Sequence, residues 1–377
     1  MRKICIITGT RADFGIYIPI IKEIIAHPKL ELSLIATGMH LSEDFGNTVD
    51  AIKNMGITID AEIEILEKLD TGAAMARSIG KAIIGFTHNF EKIKPDIVLL
   101  LGDRGEMLAA AIAASHMNIL TAHLHGGEIT GTVDDLNRNA ITKISSIHLP
   151  ATEKSKKRII AMNENPKTIF VVGAPGLDPI YSGEYASKEM IEKELDFNLN
   201  DELLLVVQHS NTFEVEESAD QIRETLEAIS TLKKQSVLIY PNSDAGGRAM
   251  IKVIKEYEKL PFLKSFKSLT RDIYLGLMAI ADVIIGNSSS GIIEAAALDL
   301  AVVNIGTRQR ARERADYIID VDYNKNEILK AIKLCLTKDY KAKIKNSINP
   351  YGVGDSSKKI VDLLASIDIS RNMIEKI

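Results

Sequence analysis

The chain has 377 residues, of which 46% are hydrophobic and 26% are charged, and its formal net charge is −5. This length fits two domains of ordinary size, and the small negative charge excludes the strongly basic surface that nucleic-acid binding requires. Because no apolar stretch approaches about 18 residues and no signal-peptide pattern follows Met1, we expect a cytoplasmic protein without a membrane span.

Short apolar runs, which predict buried strands, alternate along the chain with amphipathic stretches, which predict helices. In the first half, strands are predicted at residues 4–7, 30–36, 97–101, 119–123, 147–149 and 169–172, and helices at 17–26, 105–116 and 134–145. In the second half, strands are predicted at residues 203–207, 237–240, 283–285 and 302–305, and helices at 219–233 and 291–297.

Continuous apolar strands that alternate with helices are typical of parallel sheets covered on both faces. The sequence therefore predicts an α/β protein with two Rossmann-like, doubly wound domains and a central cleft. A Gly-Ala-Pro-Gly break at 173–176 divides it into a first domain at 1–173 and a second at 174–355. A helix is predicted over 356–377, and its periodicity leaves open whether it packs on the first domain.

Ligands of open parallel sheets bind beyond the carboxyl ends of the strands, so the loops after the strands form the candidate site. In the turn at residues 8–15, two glycines flank Arg11, and backbone N–H groups beside a guanidinium favour an anion. The alternative is a tight turn with a surface arginine. Asp103 and Arg104 follow the apolar run at 97–101, and the alternative role for Asp103 is that of a helix N-cap.

The densest group of titratable side chains follows the strand at 119–123, and it comprises His123, His125, Glu128, Asp134, Asp135 and Arg138. Imidazoles and carboxylates can supply general acids and bases, and the glycines between them let a ligand approach the backbone. One alternative is a divalent metal site, although no compact ligand triad is evident. The other is a polar loop in which Asp134 or Asp135 caps a helix.

Three serines, Ser288, Ser289 and Ser290, follow the strand at 283–285 and open a helix. Their hydroxyls and free N–H groups form an anion cradle, and a carboxylate one turn later, at Glu294, suits the two hydroxyls of a ribose. The alternative is plain serine N-capping. Other polar residues that follow strands of the second domain are His209, Asn242 and Arg308. Together these loops suit a nucleoside diphosphate sugar.

The segments TGTRADFG, LGDRGE, HLHGGE, YPNSD, GNSSSGIIE and GTRQ occur in this order over almost the whole chain. They resemble the hydrolysing branch of the UDP-N-acetylglucosamine 2-epimerase family. This resemblance implies a GT-B-like fold with UDP bound mainly on the second domain. It implies that the UDP contacts are Arg11, Arg104, His209, Asn242, Ser288, Ser289, Ser290, Glu294 and Arg308. The candidate catalytic residues are Asp103, His125, Glu128, Asp134 and His209. Many members of the family carry glutamate in place of His125.

The implied reaction converts UDP-N-acetylglucosamine and water to N-acetylmannosamine and UDP. A base removes the C2 proton as UDP leaves C1, and the 2-acetamidoglucal then takes up water at C1 and a proton on the opposite face of C2. We expect no cofactor and no metal, and a homo-oligomer, either a dimer or a tetramer. The alternatives are the same chemistry on a UDP-2,4-diacetamido-2,4,6-trideoxyhexose, a GT-B glycosyltransferase, and a non-catalytic UDP-sugar sensor.

Overall fold

The computed structural model of the protein describes residues 1–43, 46–69, 71–130, 134–199, 202–211, 213–242, 244–345 and 347–369. Within these residues, the strands form two six-stranded sheets in which every neighbouring pair is parallel. Both sheets carry helices between their strands. The predicted fold class, two Rossmann-like α/β domains, is confirmed.

The first sheet has the strand order β3-β2-β1-β4-β5-β6. Its strands are β1 (Arg2–Thr8), β2 (Leu30–Thr37), β3 (Ala61–Ile63), β4 (Ile97–Leu101), β5 (Leu120–Leu124) and β6 (Ile147–Leu149). Its helices are α1 (Arg11–Ala26), α2 (Val49–Asn54), α3 (Gly72–Ile93), α4 (Gly105–His116), α5 (Asp134–Ile144) and α6 (Glu153–Ala161). The strand order reverses between β1 and β4, so the loops after these strands lie at the switch point where such sheets bind ligands.

The second sheet repeats this topology in the order β12-β11-β10-β7-β8-β9. Its strands are β7 (Leu203–Val207), β8 (Gln235–Ile239), β9 (Leu263–Phe266), β10 (Val283–Gly286), β11 (Ala301–Ile305) and β12 (Ile319–Val321). The helices from Asp178 onwards are α7 (Asp178–Tyr181), α8 (Lys188–Leu195), α9 (Ser218–Leu232), α10 (Gly247–Tyr257), α11 (Arg271–Ile280), α12 (Ser290–Ile293), α13 (Lys325–Cys335), α14 (Lys338–Ile344) and α15 (Ser356–Ser366). Its switch point lies between β7 and β10.

Both faces of the first sheet are covered, as the side chains of β1 illustrate. Ile4 and Ile6 belong to a buried cluster with residues of α1 and α15, whereas Cys5 and Ile7 belong to a second cluster with residues of α3 and α4. Burial on both faces explains why this strand is apolar at successive positions instead of alternating.

Several predicted elements differ from the structure. The helix predicted at 291–297 is a single α-helical turn at Ser290–Ile293, followed by a 3-10 turn at Ala295–Leu298. The strand predicted at 169–172 is wrong, because only one isolated bridge forms, between Ile169 and His148. The amide of Val172 donates to the carbonyl of Pro150, but proline has no N–H group with which to continue a ladder. The helix predicted at 17–26 begins earlier, at Arg11, so the glycine-flanked segment already forms its first turns.

The chain divides into two compact units. The first contains Met1–Ile129, Asp134–Asp178 and the segment from Tyr351 onwards, and the second contains Pro179–Pro350 together with Thr130. The chain passes to the second unit after Asp178, whereas the predicted boundary follows residue 173. Among the described helices, none combines the length and the apolar character that a membrane crossing requires.

The C-terminal helix α15 packs on the first unit, where Ile360, Val361 and Leu364 join the buried cluster of α1. The carboxylate of Asp178 accepts hydrogen bonds from the amides of Ser356, at 3.1 Å, and Ser357, at 2.7 Å. It therefore serves as an N-terminal cap supplied from elsewhere in the chain. The helix predicted at 356–377 ends at Ser366, and residues 370–377 lie outside the described part of the chain.

Candidate active site

The turn after β1 holds Arg11 as the first residue of α1. Thr10 caps this helix reciprocally with Asp13. The Asp13 carboxylate also accepts hydrogen bonds from the amides of Gly9, at 3.0 Å, Thr10, at 2.9 Å, and Phe14, at 2.7 Å. The prediction that the amides of this turn would hold a ligand anion is therefore wrong for these three, because an internal carboxylate already occupies them. Arg11 itself lies half-buried at the turn.

A buried histidine that the sequence analysis left without a role supports this turn. His40 Nε2 lies 3.0 Å from Thr8 Oγ1, and its Nδ1 lies 2.7 Å from Thr48 Oγ1. Thr8 Oγ1 in turn donates to Asp13 Oδ1 at 2.9 Å. Burial lowers the pKa of His40, an effect that nearby Asp13 partly opposes. A neutral imidazole thus tethers the turn to the segment after β2.

Asp103, after β4, does not cap the following helix. The N-cap position of α4 is Arg104, and it makes no side-chain capping bond. The Asp103 carboxylate instead pairs with Arg138 of α5. Arg104 pairs with Glu106, Nε to Oε1, at 2.7 Å.

Arg138 was not predicted to be catalytic or to bind UDP, but it connects the loops of the candidate site. Its side chain is 1% exposed, and besides Asp103 it binds Asp135 Oδ1 at 2.5 Å and the carbonyl of Glu128 at 3.0 Å. A buried guanidinium needs such compensation by opposite charges. Arg138 therefore fixes the loop after β4 and the loop after β5 relative to the start of α5.

His125 and Glu128 form a buried pair in the loop after β5. Nδ1 of His125 lies 2.6 Å from Oε1 of Glu128, and the two residues are 8% and 4% exposed. His125 has a φ of +59°, a conformation that non-glycine residues seldom adopt. Among the described residues, its Nε2 has no hydrogen-bond partner. The imidazole is thus oriented by a carboxylate on one side and has an unused nitrogen on the other.

The other histidine of this motif, His123, has a structural environment. Its Nε2 lies 2.7 Å from the carbonyl of Gly102, and its Nδ1 lies 3.1 Å from Thr142 Oγ1. Burial lowers its pKa from 6.5 to about 3, with the Gly102 hydrogen bond acting in the opposite direction. This ring is therefore neutral at physiological pH and anchors β5 to the neighbouring loop.

The glycines of this motif are required by packing inside the protein. A Cβ atom at Gly126 would lie 2.9 Å from His123 Nδ1, and one at Gly127 would lie 2.4 Å from the carbonyl oxygen of Ser155. Gly127 also has a φ of +75°. Packing inside the protein is therefore sufficient to explain Gly126 and Gly127, without the predicted approach of a ligand to the backbone. Asp134 is the half-buried first residue of α5, and Gly131 lies outside the described residues.

In the second unit, Asn287 connects the predicted UDP-binding loops. Its Oδ1 accepts from the amide of His209 at 2.7 Å, and its Nδ2 donates to the carbonyl of His209 at 2.9 Å. Its own carbonyl accepts from Arg308 Nη1 at 3.1 Å and from Gln309 Nε2 at 3.0 Å. Asn287 has no exposed surface. The structure thereby brings the predicted residues His209 and Arg308 together through a residue that was assigned no role.

The orientation and tautomer of His209 are set by the loop after β8. The amide of Asn242 donates to His209 Nδ1 at 3.1 Å, so the neutral ring carries its proton on Nε2. The Asn242 side chain is engaged elsewhere, since its Nδ2 donates to Asp244 Oδ2 at 2.6 Å. Asn242 therefore acts on His209 through its backbone, and its contact with UDP stays a prediction.

Of the three serines, Ser288 makes a capping-type bond to the start of α12, whereas Ser289 does not. α12 is a single turn from Ser290 to Ile293, and its N-cap residue, Ser289, makes no side-chain capping bond. Ser288 Oγ accepts from the amide of Ser290 at 3.3 Å. The capping alternative therefore fits the hydroxyl of Ser288, and it does not account for that of Ser289.

Glu294 is paired with a residue that the sequence analysis missed. Arg271 Nη2 donates to Glu294 Oε1 at 2.7 Å, and both side chains are largely buried. Tyr274, which lies in α11 together with Arg271, is a neighbour of Ser288 and Ser290. Burial raises its pKa to about 12, and the hydroxyls of Ser290 and Ser288 partly oppose this. Arg271 and Tyr274 belong to an ordinary amphipathic helix, so no local signal marked them.

Within the described residues, no three His, Cys, Asp or Glu side chains gather in a group that could hold a metal ion. The residues predicted to act in acid–base catalysis, Asp103, His125, Glu128 and Asp134, lie in or beside the loops that follow β4 and β5 of the first sheet. Those predicted to bind UDP from the second unit lie in or beside loops that follow strands of the second sheet.

Comparison with known proteins identifies the family. Residues 22–365 match the family described as UDP-N-acetylglucosamine 2-epimerase. The chain belongs to this family. The UDP-N,N'-diacetylbacillosamine 2-epimerase (hydrolyzing) of Legionella pneumophila is 43% identical over 376 residues, which are 100% of this chain and 99% of that relative. The UDP-N-acetylglucosamine 2-epimerase of Neisseria meningitidis is 33% identical over 88% of this chain and 87% of that relative.

The solved structures support the same family fold. The crystal structure of UDP-GlcNAc 2-epimerase from Neisseria meningitidis bound to UDP-GlcNAc has a TM-score of 0.80 at 20% identity, and covers 97% of this chain and 100% of that chain. The predicted GT-B-like architecture is confirmed. This member of the family is a UDP-sugar 2-epimerase of the hydrolysing type.

Proposed function

We propose that the substrate of this epimerase is a UDP-2,4-diacetamido-2,4,6-trideoxyhexose, which it converts to UDP and the free sugar epimerised at C2. The observation that carries this choice is the 43% identity over the complete chain with the Legionella enzyme named for UDP-N,N'-diacetylbacillosamine, a sugar of this class. UDP-N-acetylglucosamine is the second candidate, because a relative named for it is 33% identical. The resemblance seen in the sequence alone favoured UDP-N-acetylglucosamine.

The two candidates share the reaction at C1 and C2. A base takes the C2 proton, the C1–O bond breaks with its electron pair leaving on UDP, and a C1=C2 double bond forms. The oxygen of water then bonds to C1 and a proton returns to C2 on the opposite face. Two proton-transfer groups are therefore needed on opposite faces of the ring. Asp103, Asp134 and the His125–Glu128 pair supply candidates for both.

The second unit is suited to the leaving group. His209, with its proton on Nε2, and Arg308 supply donors for phosphate oxygens, and the hydroxyls of Ser288, Ser289 and Ser290 add three more. Donors fixed in place before the reaction stabilise the charge that develops on the departing diphosphate. Glu294, held by Arg271, is the proposed acceptor for the ribose hydroxyls.

Proton and phosphorus NMR in deuterated water tests this function with both UDP-sugars in parallel. Release of UDP from the diacetamido sugar, with deuterium at C2 of the epimerised product, would support the proposal. Faster turnover of UDP-N-acetylglucosamine would replace the first candidate with the second. If the protein bound a UDP-sugar but turned over neither of them, both candidate functions would be contradicted and the sensor interpretation would be favoured.

We also propose a homo-oligomer, as the resemblance to the family implies. One chain has a mass of 41.4 kDa. Light scattering on the purified protein measures the mass in solution, and a value equal to a single chain would contradict this proposal.

A further inference from the structure

We infer that Asn287 is the positioning residue that sets the diphosphate-binding geometry of the second unit, an inference that rests on the proposed binding of UDP. Three loops that follow different strands of the second sheet meet at this one residue. They are the loops after β7, with His209, after β10, with Asn287 itself, and after β11, with Arg308.

The amide side chain of Asn287 binds the backbone on both sides of the His209 Cα atom. It accepts from the N–H and donates to the C=O of the same residue, at 2.7 and 2.9 Å. This reciprocal pair fixes the two peptide groups that flank the Cα atom of His209. Because the Asn242 amide binds His209 Nδ1, the ring is then held at both its backbone and its side chain.

The carbonyl of Asn287 holds the cationic side of the same site. It uses its two lone pairs for Arg308 Nη1 and Gln309 Nε2. A guanidinium that is partly fixed by a neutral acceptor loses less conformational freedom when it binds a phosphate. One residue thus orders a neutral donor, His209, and a charged donor, Arg308.

The preceding residue makes this placement possible. Gly286 has a φ of +129°, and a Cβ atom there would lie 2.2 Å from the carbonyl oxygen of Val207. The amide of Asn287 donates to that same carbonyl at 3.1 Å. Only glycine permits this close approach of the ends of β7 and β10. The approach brings Asn287 beside His209.

The test compares Asn287→Ala with Asn304→Ala. Asn304 is a matched control because it is also a buried asparagine at the end of a strand of this sheet, and its Nδ2 donates to Asp320 Oδ1 at 2.7 Å. Calorimetry measures the binding of UDP, and ligand-observed NMR measures the binding of uridine, which lacks the phosphates. We expect Asn287→Ala to weaken UDP binding by about tenfold to a hundredfold, as loss of buried hydrogen bonds suggests, with uridine binding unchanged.

A second measurement separates positioning from a general loss of structure. Ring ¹⁵N spectra of labelled histidine report which nitrogen of His209 carries the proton, and we expect the Nε2–H form of the native protein to become mixed in Asn287→Ala. Asn304→Ala should bind both ligands like the native chain and keep the His209 signals.

Equal losses of UDP and uridine binding in Asn287→Ala would overturn the inference, as would unchanged UDP binding. An equal loss of UDP binding in Asn304→Ala would overturn it too. If the native protein failed to bind UDP at all, the proposed function itself would be contradicted, so the two failures are distinguishable.

Discussion

The Nδ1 atom of His125 lies 2.6 Å from Oε1 of Glu128 inside the protein, so a carboxylate orients an imidazole in the loop after β5. If the Nε2 atom of this imidazole transfers the C2 proton, removing it should lower kcat by about a hundredfold or more. His125→Asn is the suitable variant, because asparagine tolerates the positive φ at this position. Release of UDP and exchange of the C2 proton for deuterium are measured together.

The control for this variant is His148→Asn. His148 is also buried in the first unit, and its Nε2 lies 3.1 Å from Glu164 Oε2. We expect the control to lose stability but to retain proton exchange in the fraction that is folded. Wild-type rates of both steps in His125→Asn would show that another residue performs this transfer.

Arg138 should be essential to the stability of the first unit. Its guanidinium lies between the carboxylates of Asp103 and Asp135, so Arg138→Met removes the buried cation that these two partly buried carboxylates share. We expect a loss of about 3 to 5 kcal/mol in the free energy of unfolding, measured by urea denaturation.

The triple variant with Asp103→Asn and Asp135→Asn should recover part of that loss, because it also removes the two negative charges that Arg138 compensates. If Arg138→Met alone were as stable as the native protein, compensation of these charges would contribute little to the free energy of unfolding. No recovery in the triple variant would show that packing around Arg138, not charge, dominates.

Asp178 should hold the start of α15. Asp178→Ala removes the acceptor for the amides of Ser356 and Ser357, and we expect the helix to lose about 1 to 2 kcal/mol of local stability. Asp355→Ala is the matched control, since Asp355 occupies the N-cap position without making a capping bond. Hydrogen exchange of the α15 amides distinguishes the two. Equal protection in Asp178→Ala and the native chain would contradict the capping role.

Stability should fall with decreasing pH because of His123. Burial lowers the pKa of this ring from 6.5 to about 3, so between these values the unfolded chain binds a proton that the folded chain does not. The free energy of unfolding should therefore fall by about 1.4 kcal/mol per pH unit from this group as the pH drops below 6.5. Above 6.5 the group contributes no slope.

His123→Gln keeps a donor for the Gly102 carbonyl but does not titrate. We expect this variant to be less stable near neutral pH and to have a flatter dependence on pH, as measured by urea denaturation from about pH 7 to pH 4.5. Parallel curves for the variant and the native chain would assign the acid sensitivity to other groups.

The central strands were predictable because burial on both faces makes them continuously apolar, and β4 and β7 have the predicted bounds. The strands β3, β9 and β12 were missed. β9 and β12 are edge strands of the second sheet, and they contain polar residues such as Lys264 and Asp320. An edge strand needs less apolar sequence, because one of its sides lacks a neighbouring strand.

The candidate site was predictable only at the level of loops. Parallel topology places every loop after a strand at the same edge of its sheet, so residues such as Arg308 could be selected without coordinates. Their partners could not. That Asp13 occupies the amides around Arg11, and that Asn287 binds His209 from 78 residues away, depends on long-range packing that leaves no local trace in the sequence.

The position of α15 has a consequence for biosynthesis. Ile360, Val361 and Leu364 complete the interior of a unit whose other residues mostly precede the second unit and therefore leave the ribosome before it. That unit remains without part of its apolar lining until translation has passed the entire second unit. A premature stop codon shortly before Ser356 would thus damage the half of the protein that was made earliest.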